Sequence, residues 1–394
     1  MRVKSAGQID RSRPLKFSFD GVSYSGFSGD TLASALLAND VRLIGRSFKY
    51  HRPRGVLTAG SEEPNALVTL RRGRGQDPNI RATQQELYGG LEALSQNRWP
   101  SLNYDLLSIN DLVAPFISAG FYYKTFMWPK AFWERVYEPL IRRAAGLGAL
   151  NGAPDTDRYE QAFAFCDLLV IGAGPAGLMA ALSAARSGLE VILADEDSRF
   201  GGRLNSETYE IGGAAGADWA AKVTAELKEM PNVRLMPRTT VTGAYDQGTF
   251  GALERVAQHL PSGQGDLPEA CFWRIVCRRS ILAAGALERG VAFANNDRPG
   301  VMMASAVRSY VNRYGVAPGK AVVIFGNNDN AARTAKDLAA AGVQISAYVE
   351  ARESAPITGD FPIYTNAQIC NTTGRRGLDG VTLRHAGGET KLAA

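Results

Sequence analysis

The stretch DLLVIGAGPAGLMAALSAARSGLEVILADED constrains the fold of this chain more than any other part of the sequence. It opens with the apolar run 168–171, which predicts a buried parallel strand. A helical pattern of apolar residues follows, and a second apolar run, 191–193, leads to Asp195. The glycines of the pattern G-x-G-x-x-G lie between the first strand and the helix: Gly172, Gly174 and Gly177. This order of elements predicts a dinucleotide-binding βαβ unit.

Each part of this motif has its own physical role. Gly172 permits a tight turn, Gly174 lets the backbone approach a pyrophosphate, and Gly177 lets the helix pack closely on the strand. The helix N-terminus offers free N–H groups and a partial positive charge to phosphates. Asp195 lies at the distance expected for a ribose-binding acid and favours a free 2′-hydroxyl, hence NAD or FAD rather than NADP. The motif leaves the choice between NAD and FAD open.

Later segments are expected to return to the same cofactor. The glycine pair in FGGR at 200–203, the strand 240–245 and the AAGA turn at 283–286 are the candidates. The predicted cofactor-binding residues are Gly172, Ala173, Gly174, Pro175, Ala176, Gly177, Asp195, Glu196, Asp197, Gly202, Arg203, Val241, Ala284 and Gly285. Within this set, Asp195 and Glu196 are expected on the adenosine ribose and Arg203 near the phosphates.

The beginning of the chain has the pattern of a small β-rich domain. Apolar and polar residues alternate on both sides of the turn signal Asp20-Gly21, which predicts a hairpin. A short helix is expected over 31–38, with Asp30 as its N-cap, and a further strand over 66–70. This order of hairpin, helix and later strand is similar to that of plant-type ferredoxin domains.

The cysteine positions argue against an iron–sulfur cluster in that domain. Plant-type ferredoxin domains hold a [2Fe–2S] cluster with four cysteine thiolates. The chain has four cysteines, and none precedes Cys166. We therefore expect the ferredoxin-like fold without its cluster. Cys271 and Cys277 lie six residues apart in an apolar run and are expected on one buried strand face.

A basic segment lies between the expected helix and the strand that follows it. Residues 42–74 hold eight lysines or arginines and only two acids, Glu62 and Glu63. Aromatic residues are interleaved with the charges over 42–54, so the segment is either a solvated loop or a surface for an anionic group or an acidic partner. His51 has no carboxylate next to it in the sequence and is not expected to be catalytic.

An aromatic-rich segment, 99–145, follows. Prolines and lysines interrupt it too often for a membrane helix. Large aromatic side chains among scattered cations are typical of a surface that is buried against another domain or subunit. The Gly-, Pro- and Asp-rich stretch 146–157 is expected to be the linker to the nucleotide domain.

A second strand–turn–helix–strand pattern begins at Lys320. Only its first glycine, Gly326, is present, because Asn328 and Ala331 replace the other two. Asn328 adds a Cβ where the backbone would touch a pyrophosphate, so we expect the fold to be kept more than the nucleotide binding. Glu350 ends the second strand of this pattern.

Together these signals predict an α/β protein with two dinucleotide-binding domains of the FAD/NAD(P)-binding Rossmann-like type, preceded by a small ferredoxin-like β-grasp domain. In the first dinucleotide domain, separate strands are expected over 273–276 and 280–284. The predicted divisions are a β-grasp domain without a cluster (1–98), an aromatic-rich connecting or docking segment (99–160), a first dinucleotide-binding domain (161–319) and an incomplete second nucleotide-binding-like domain (320–394).

Charge and composition exclude other classes. The net charge of +5 is small for 394 residues, and no nucleic-acid recognition module is present, so no nucleic-acid partner is expected. The first residues lack an apolar core of signal-peptide length, which favours a cytoplasmic protein. We find no nucleophile–base pair, no carboxylate pair of clear spacing and no metal-binding cysteine spacing, so no catalytic residue and no metal ligand is predicted.

Several long motifs resemble the α-subunit family of heterotetrameric sarcosine oxidases. They are GRSFKYHRPRGVLTAGSEEPNALV, SAGFYYKTFMWP with WERVYEPLIRRAAGLG, DLLVIGAGPAGLMAA with ADEDSRFGGRL, and NNDRPGVM. Together they cover nearly the whole chain. Opine oxidases and cyanide synthase, which are related amine-oxidising complexes, share parts of the pattern.

The resemblance implies a complex with β, γ and δ subunits that carries FAD and FMN through those partners. Such a complex oxidises sarcosine to glycine, reduces oxygen to peroxide and passes the one-carbon unit to tetrahydrofolate. The resemblance also implies that the α subunit binds NAD at its glycine motif as a structural ligand and holds folate in its C-terminal half. The sequence stops at Ala394, before that half, so we expect a truncated chain or a split subunit.

Two other functions remain open at this point. A self-sufficient FAD-dependent NAD(P)H oxidoreductase is disfavoured by the degraded second glycine motif and by the missing dithiol. A non-catalytic scaffold subunit that has kept the fold is the other.

Overall fold

The computed structural model describes residues 1–4, 6–116, 120, 126, 128–144, 146, 148–261 and 266–394. Two units emerge: one contains residues 155–288, and the other contains residues 1–154 with 289–394. Residues 289–319, which the sequence pattern placed with the first dinucleotide domain, pack in the other unit.

The beginning of the chain folds into a five-stranded sheet with the order β2-β1-β7-β5-β6. Its elements, with two short strands and a later helix, are β1 (Asp10–Phe19), β2 (Val22–Ser28), α1 (Leu32–Ala38), β3 (Gly45–Arg46), β4 (Pro53–Arg54), β5 (Leu67–Arg72), β6 (Gly75–Arg81), β7 (Leu91–Ser95) and α2 (Glu138–Ala144). Alternate residues of the strands, such as Phe17 and Val68, pack on α1 in one apolar core. The predicted hairpin is present, with Asp20 and Gly21 both at positive φ, as its two-residue turn requires.

The N-cap of α1 is Thr31, so the prediction of Asp30 was wrong. Thr31 has an extended backbone, and its hydroxyl accepts a hydrogen bond from Ser34 N. In return, the Ser34 hydroxyl accepts a hydrogen bond from Thr31 N. The carboxylate of Asp30 is instead fully buried and accepts hydrogen bonds from Arg2, from Phe27 N and from the Ser34 hydroxyl. A partner 28 residues away therefore displaces Asp30 from the capping role.

The second unit is built on a six-stranded sheet with the order β12-β9-β8-β15-β14-β13. Strands β12, β9, β8 and β15 are parallel, while β14 and β13 continue the sheet antiparallel. The elements are β8 (Tyr159–Ile171), α3 (Pro175–Arg186), β9 (Val191–Ala194), β10 (Glu210–Ile211), β11 (Ala214–Ala215), α4 (Gly216–Glu229), β12 (Val233–Met236), β13 (Thr239–Tyr245), β14 (Thr249–Arg255) and β15 (Ala270–Leu282). The central strands are apolar on both faces, because Leu168 and Val170 face one core and Leu169 faces another.

One strand in this sheet is longer than the sequence pattern indicated. The two strands predicted over 273–276 and 280–284 are a single strand, β15, which runs through the polar residues between them. It stays paired with β8 from Tyr159 to Ile171, and this ladder outweighs the polar interruption. Cys271 and Cys277 lie in one buried cluster on β15, as predicted.

The second strand–turn–helix–strand pattern is also present. Its elements and those around it are α5 (Ala304–Arg308), β16 (Ala321–Gly326), α6 (Asp329–Ala340), β17 (Gln344–Glu350) and β18 (Ile363–Tyr364), followed by a three-stranded antiparallel sheet of β19 (Gln368–Thr373), β20 (Gly380–His385) and β21 (Gly388–Ala393). The inner face of α6 packs Ala335 and Leu338 against Tyr348 of β17. Among the described residues, no helix is long and apolar enough to cross a membrane.

Candidate functional site

The glycine turn after β8 is fixed by contacts that leave no room for side chains at two of its glycines. Gly172 has φ +100°, and a Cβ there would lie 2.5 Å from the carbonyl oxygen of Ala283. A Cβ on Gly177 would lie 1.8 Å from the carbonyl oxygen of Gly172. These two glycines therefore provide the tight turn and the close packing of α3 that the motif predicts.

The middle glycine is different, because the space beside it is open. No atom lies within 4 Å of a Cβ built on Gly174, although its φ of −68° is one that any residue adopts. Gly174 is the N-cap of α3, no side chain caps the helix, and Pro175 follows at its first turn. Pro175 and Ala176 are exposed. The N–H groups at this helix end thus face a space that suits a pyrophosphate.

The second glycine pair lies against this opening. Gly201 N donates to the carbonyl oxygen of Ala173 at 2.8 Å. Gly202 has φ +53°, and a Cβ on it would lie 3.0 Å from the Cα of Gly174. Arg203 follows, half-exposed, and pairs with Glu207 at 2.6 Å between Nη2 and Oε1. The structure therefore brings Gly202 to the glycine turn, while Arg203 already has a carboxylate partner.

The acidic residues after β9 close the other side of the turn. Asp195 accepts hydrogen bonds from Ala173 N (2.6 Å) and Asp197 N (2.8 Å). Burial raises the pKa of the Asp195 carboxyl, and the two N–H donors only partly oppose it. Asp195 therefore ties the glycine turn to the end of β9, a contact that the sequence pattern did not reveal. The carbonyl oxygen of Glu196 accepts a hydrogen bond from Arg255 Nη2 at 2.6 Å.

The returning segments reach the site by their backbones. Ala283 N donates to the carbonyl oxygen of Ile171 at 2.8 Å, which holds the predicted turn with Ala284 and Gly285 at the start of the glycine turn. Gly285 has φ +72° and open space beside it. Thr239 N donates to the carbonyl oxygen of Asp195 at 2.8 Å, so the start of β13 also meets this edge. Val241 lies half-buried two residues further along β13.

Two residues at this site were missed by the sequence pattern. Arg255, at the end of β14, reaches Glu196, and Thr239 reaches Asp195. Both come from strands that are distant in sequence, and no local motif marks them.

A cavity of about 720 Å³ lies beside the site rather than at it, between α4 and β12. Phe200, Val233 and Leu235 are among its lining residues.

The corresponding turn in the second βαβ pattern is closed. Arg352 donates to Glu350 Oε1 through Nε and to Asp329 Oδ1 through Nη2, both at 3.0 Å. Asp329 is the first residue of α6, and Asn328 caps the same helix by accepting Asn330 N. We call the group of Glu350, Arg352 and Asp329 the Arg352 clasp. It joins the end of β17 to the start of α6 through side chains, whereas Asp195 joins the end of β9 to the first turn through a backbone N–H group.

Glu350, one of the two acids of this clasp, is fully buried and accepts hydrogen bonds at both carboxylate oxygens. Glu350 also accepts hydrogen bonds from the Tyr348 hydroxyl (3.2 Å) and from Arg352 N (3.1 Å). Burial alone would raise the pKa of Glu350, but the hydrogen bonds and charge of Arg352 hold it below its usual value. Gly326 remains necessary, because a Cβ there would lie 2.3 Å from the Cβ of Ala331.

The loop between α1 and β5 is organised by a buried carboxylate. Glu63 accepts hydrogen bonds from the backbone N–H groups of Leu57, Thr58, Asn65 and Ala66 at 2.7–3.1 Å. His51, in the same loop, is buried, with Nδ1 2.7 Å from Oδ2 of Asp105. The local sequence shows no carboxylate partner for His51 because Asp105 lies 54 residues further along the chain. Among the described residues, no group of three or more His, Cys, Asp or Glu side chains is placed to hold a metal ion.

Two family models match the chain. The model described as "2Fe-2S iron-sulfur cluster binding domain" matches residues 12–98. The model described as "FAD dependent oxidoreductase" matches residues 167–256. They support the predicted ferredoxin-like domain and the predicted Rossmann-like α/β fold around the glycine turn.

Curated relatives confirm the resemblance that the sequence motifs indicated. The chain is 54% identical to the sarcosine oxidase alpha subunit of Rhizobium meliloti (strain 1021) over 395 residues, which is 100% of this chain and 40% of that protein. It is 36% identical to the sarcosine oxidase alpha subunit of Corynebacterium sp. (strain U-96) over 380 residues, 94% of this chain and 34% of that protein. The chain thus spans well under half the length of these curated relatives.

More distant matches are shorter or show the fold alone. An opine oxidase subunit of Agrobacterium tumefaciens (strain Ach5) is 33% identical over 190 residues, 45% of this chain and 35% of that protein. The crystal structure of L-proline dehydrogenase from P.horikoshii covers 100% of this chain and 60% of its own, with a TM-score of 0.64 at 19% identity.

Proposed function

We propose that this chain, similar over its full length to sarcosine oxidase α subunits, is the NAD-binding α subunit of a sarcosine oxidase complex. The observation that carries the proposal is the coincidence of 54% identity over the whole chain with a glycine turn that is open at its middle glycine. We propose that NAD is a structural ligand here.

The residues of the open turn fit a dinucleotide. In this proposal the N–H groups at the start of α3, with Gly174 and Gly202, hold the pyrophosphate. Asp195 and Glu196 accept hydrogen bonds from the adenosine ribose, with Asp197 beside them, while Val241, Ala284 and Gly285 supply backbone walls. Arg203 reaches the phosphates by exchanging or sharing its contact with Glu207. Ala173, Pro175, Ala176 and the other glycines shape the turn.

The chemistry of the complex is proposed to lie outside this chain. Sarcosine is oxidised to glycine, oxygen is reduced to peroxide, and the one-carbon unit passes to tetrahydrofolate. FAD and FMN come through the β, γ and δ partners, and folate is held by a part of the α subunit beyond these residues. No residue of this chain is proposed as catalytic, and the ferredoxin-like domain is proposed to hold no iron–sulfur cluster because it has no cysteine. The compartment is proposed to be the cytoplasm.

One specific observation favours a second candidate for the cofactor. The family model for FAD-dependent oxidoreductases covers the glycine turn, the acidic residues and β13. FAD and NAD share the adenosine diphosphate half that this site would hold, so the open turn suits both. A subunit of an opine oxidase or cyanide synthase complex is the alternative for the whole protein, since an opine oxidase subunit matches 45% of the chain.

The cofactor is tested by mass spectrometry of the protein after native purification and denaturation. NAD in near-stoichiometric amount is expected, and FAD without NAD would overturn the assignment in favour of the second candidate. An iron analysis of the same sample is expected to find none.

The function is tested by peroxide release from sarcosine. We expect no turnover from this chain alone and turnover when the complete α chain is expressed with its three partners. Turnover by this chain alone at the rate of the complex would move the active site into these residues. Preference of the complex for an opine over sarcosine would favour the alternative.

A further inference from the structure

Four loops of the unit formed by residues 1–154 and 289–394 come together and carry six arginines. The contacts that join the loops are Arg52 Nη2 to Asp297 Oδ1 (2.9 Å), Arg298 Nε to Thr372 Oγ1 (3.1 Å) and Arg376 Nη1 to Asn103 Oδ1 (3.2 Å). We call this surface the arginine face; its members are Arg52, Arg54, Arg298, Arg375 and Arg376, and it adjoins Arg46, whose side chain is only 6% exposed. It includes arginines of the basic segment 42–54, for which the sequence allows either a solvated loop or a binding surface.

The carboxylates within this surface are too few to balance its charge. Asp297 is shared by Arg52 and Arg54. Asp105 is buried against His51, with Arg46 Nε 3.9 Å away. Asp379, just after the two-arginine turn, is the third acid of these loops. Burial lowers the pKa of Arg46, Asp105 raises it, and the charge of Arg376 lowers it further, which places two guanidinium groups within each other's field.

The outermost cations are held in a rigid turn. Gly374 has φ +132°, and a Cβ on it would lie 1.9 Å from the carbonyl oxygen of Gly377. Arg298 Nη1 donates to the carbonyl oxygen of Gly374, so the base of the turn is tied to the neighbouring loop. Arg375 and Arg376 are exposed at its tip, and Arg375 has no hydrogen bond or ion pair with any residue that the structure describes. The backbone that carries these two charges is therefore held in place before any partner arrives.

Large aromatic side chains are exposed on the same loops. Phe48 is 52% exposed, Trp99 59% and Tyr104 76%. Asn97 Nδ2 donates to the carbonyl oxygen of Arg46 at 3.2 Å, which joins the loop of Phe48 to the loop of Trp99 and Tyr104. Arginine beside exposed aromatic rings is the composition that protein–protein interfaces favour.

We propose that the arginine face binds an acidic surface of a partner subunit in the assembled complex. This inference rests on the proposed function, because it assigns one docking surface to that complex. A protein partner fits better than a phosphate ion, since Asp297 divides the arginines and prevents them from converging on one small anion. It also fits better than a nucleic acid, because the exposed cations are confined to one turn and do not form a stripe.

The test is charge reversal at the tip of the turn. R375E/R376E and wild-type chains, each in its complete α-subunit form, are co-expressed with the three partner subunits, and the assembly constant is measured at low and high salt. We expect the double variant to assemble roughly tenfold or more weakly at about 0.1 M NaCl, and the difference to shrink at about 1 M NaCl, where the Debye length falls from about 10 Å to about 3 Å. Equal assembly of variant and wild type at low salt would overturn the inference while leaving the proposed function intact.

A matched control separates this effect from net charge. K222E/K228E changes the charge by the same amount on the exposed face of α4, and it is expected to assemble as wild type does. If K222E/K228E weakens assembly as strongly as R375E/R376E, net charge rather than the arginine face is responsible, and the inference falls.

A second measurement applies if the wild-type chain fails to assemble, which would remove the proposed function. Binding of a fluorescein-labelled peptide of alternating glutamate and tyrosine is then compared with binding of a single-stranded oligonucleotide of equal charge. Salt-sensitive peptide binding that R375E/R376E abolishes supports an acidic protein partner. Absence of peptide binding, or tighter binding of the oligonucleotide, overturns it.

Discussion

The two βαβ patterns of this chain have the same backbone order and opposite surroundings at the helix N-terminus. In the first, the space beside Gly174 is open and no side chain caps α3. In the second, Asn328 caps α6 and Arg352 joins the acid of the second strand to Asp329 at the helix start. The comparison shows that the strand–turn–helix–strand fold persists where the uncapped helix N-terminus does not. What distinguishes the two is which groups occupy the helix N-terminus.

The acids at the ends of the second strands differ in the same way. Asp195 is half-buried beside backbone N–H donors, and the pKa of its carboxyl is raised. Glu350 is buried beside a guanidinium, and the pKa of its carboxyl is lowered. Each oxygen of Asp195 accepts one backbone N–H and can accept a further hydrogen bond from a ribose hydroxyl, whereas each oxygen of Glu350 already accepts two hydrogen bonds.

The largest effect is expected from the packing glycine of the open turn. A Cβ at Gly177 would meet the carbonyl oxygen of Gly172 at 1.8 Å, so Gly177→Ala must push α3 away from β8. We expect the free energy of unfolding of the 155–288 unit to fall by about 3 kcal/mol or more. The measurement is urea denaturation, with hydrogen exchange of peptides from 167–195 to locate the loss.

The matched change in the second pattern is Ala331→Gly, since Ala331 occupies the third glycine position there. It should cost only about 1 kcal/mol, the usual cost of glycine in a helix. Equal losses from Gly177→Ala and Ala331→Gly would contradict the difference in packing that separates the two turns.

The next effect concerns the middle glycine and the cofactor. Gly174→Asn copies the residue of the closed turn into the open one. Asparagine is a good N-cap, so the fold should be kept. Its side chain would fill the open space and occupy the first N–H groups of α3. Loss of one charge-assisted hydrogen bond costs about 1.5–3 kcal/mol, so we expect dinucleotide affinity to fall roughly a hundredfold.

The readout for Gly174→Asn is the amount of NAD or FAD per chain after native purification. Circular dichroism of the ligand-free forms serves as the control for folding. Full cofactor content in a folded Gly174→Asn variant would place the dinucleotide elsewhere.

A smaller effect is expected from breaking the Arg352 clasp. Arg352→Ala leaves the buried carboxylate of Glu350 with only the Tyr348 hydroxyl among its side-chain partners. We expect the free energy of unfolding to fall by about 1–3 kcal/mol, because Arg352 is partly exposed and water replaces some of the lost bonds. Urea denaturation measures the loss. The double variant E350Q/R352A, which also removes the carboxylate charge, should recover part of it, and a double variant less stable than R352A would argue against the clasp.

The clasp should also respond to acid with a defined sign. Because the folded-state pKa of Glu350 is lowered, its contribution is complete above the ordinary glutamate value of about 4.3 and is lost as the pH falls through the lowered value. The contribution of Asp195 to the free energy of unfolding has the opposite pH dependence. Because its folded-state pKa is raised, this contribution is present when the carboxyl is protonated and is lost as the pH rises through the raised value. We measure the free energy of unfolding of wild type and R352A from neutral pH to about pH 3, and we expect the difference between them to decrease in acid. A constant gap would contradict this linkage.

The sequence predicted local features well because they depend on near neighbours. The strand before Gly172, the helix after Gly174 and the strand ending before Asp195 were all found from periodicity and glycine spacing. The errors came from partners that are distant along the chain. Asp30 was predicted to be a helix cap, but its carboxylate accepts a hydrogen bond from Arg2 instead.

The side-chain contacts that the sequence did not reveal have the same origin. Asp105 lies 54 residues from His51, and no pattern joins them. Arg352 follows Glu350 by only two residues, but its reach to Asp329 depends on how α6 packs on β17. Periodicity gives the face of an element, whereas the partner of a charged side chain is set by the tertiary fold.

The smallest effect, and the sharpest for the comparison, is expected from Asn328→Gly. This change restores the second glycine of the motif in the closed turn and removes the side-chain cap of α6. Glycine is itself a tolerated N-cap, so the free energy of unfolding should fall by only a few tenths of a kcal/mol. We expect no additional dinucleotide to be bound, because Asp329 and Glu350 remain joined by Arg352 and a negative charge still lies at the helix start. The measurement is the amount of dinucleotide bound per chain of the variant. The companion variant R352A/N328G removes both the Asn328 cap and the Arg352 clasp. Binding of a second dinucleotide by Asn328→Gly alone would mean that the glycine, and not the Arg352 clasp, decides which of the two turns can hold a ligand.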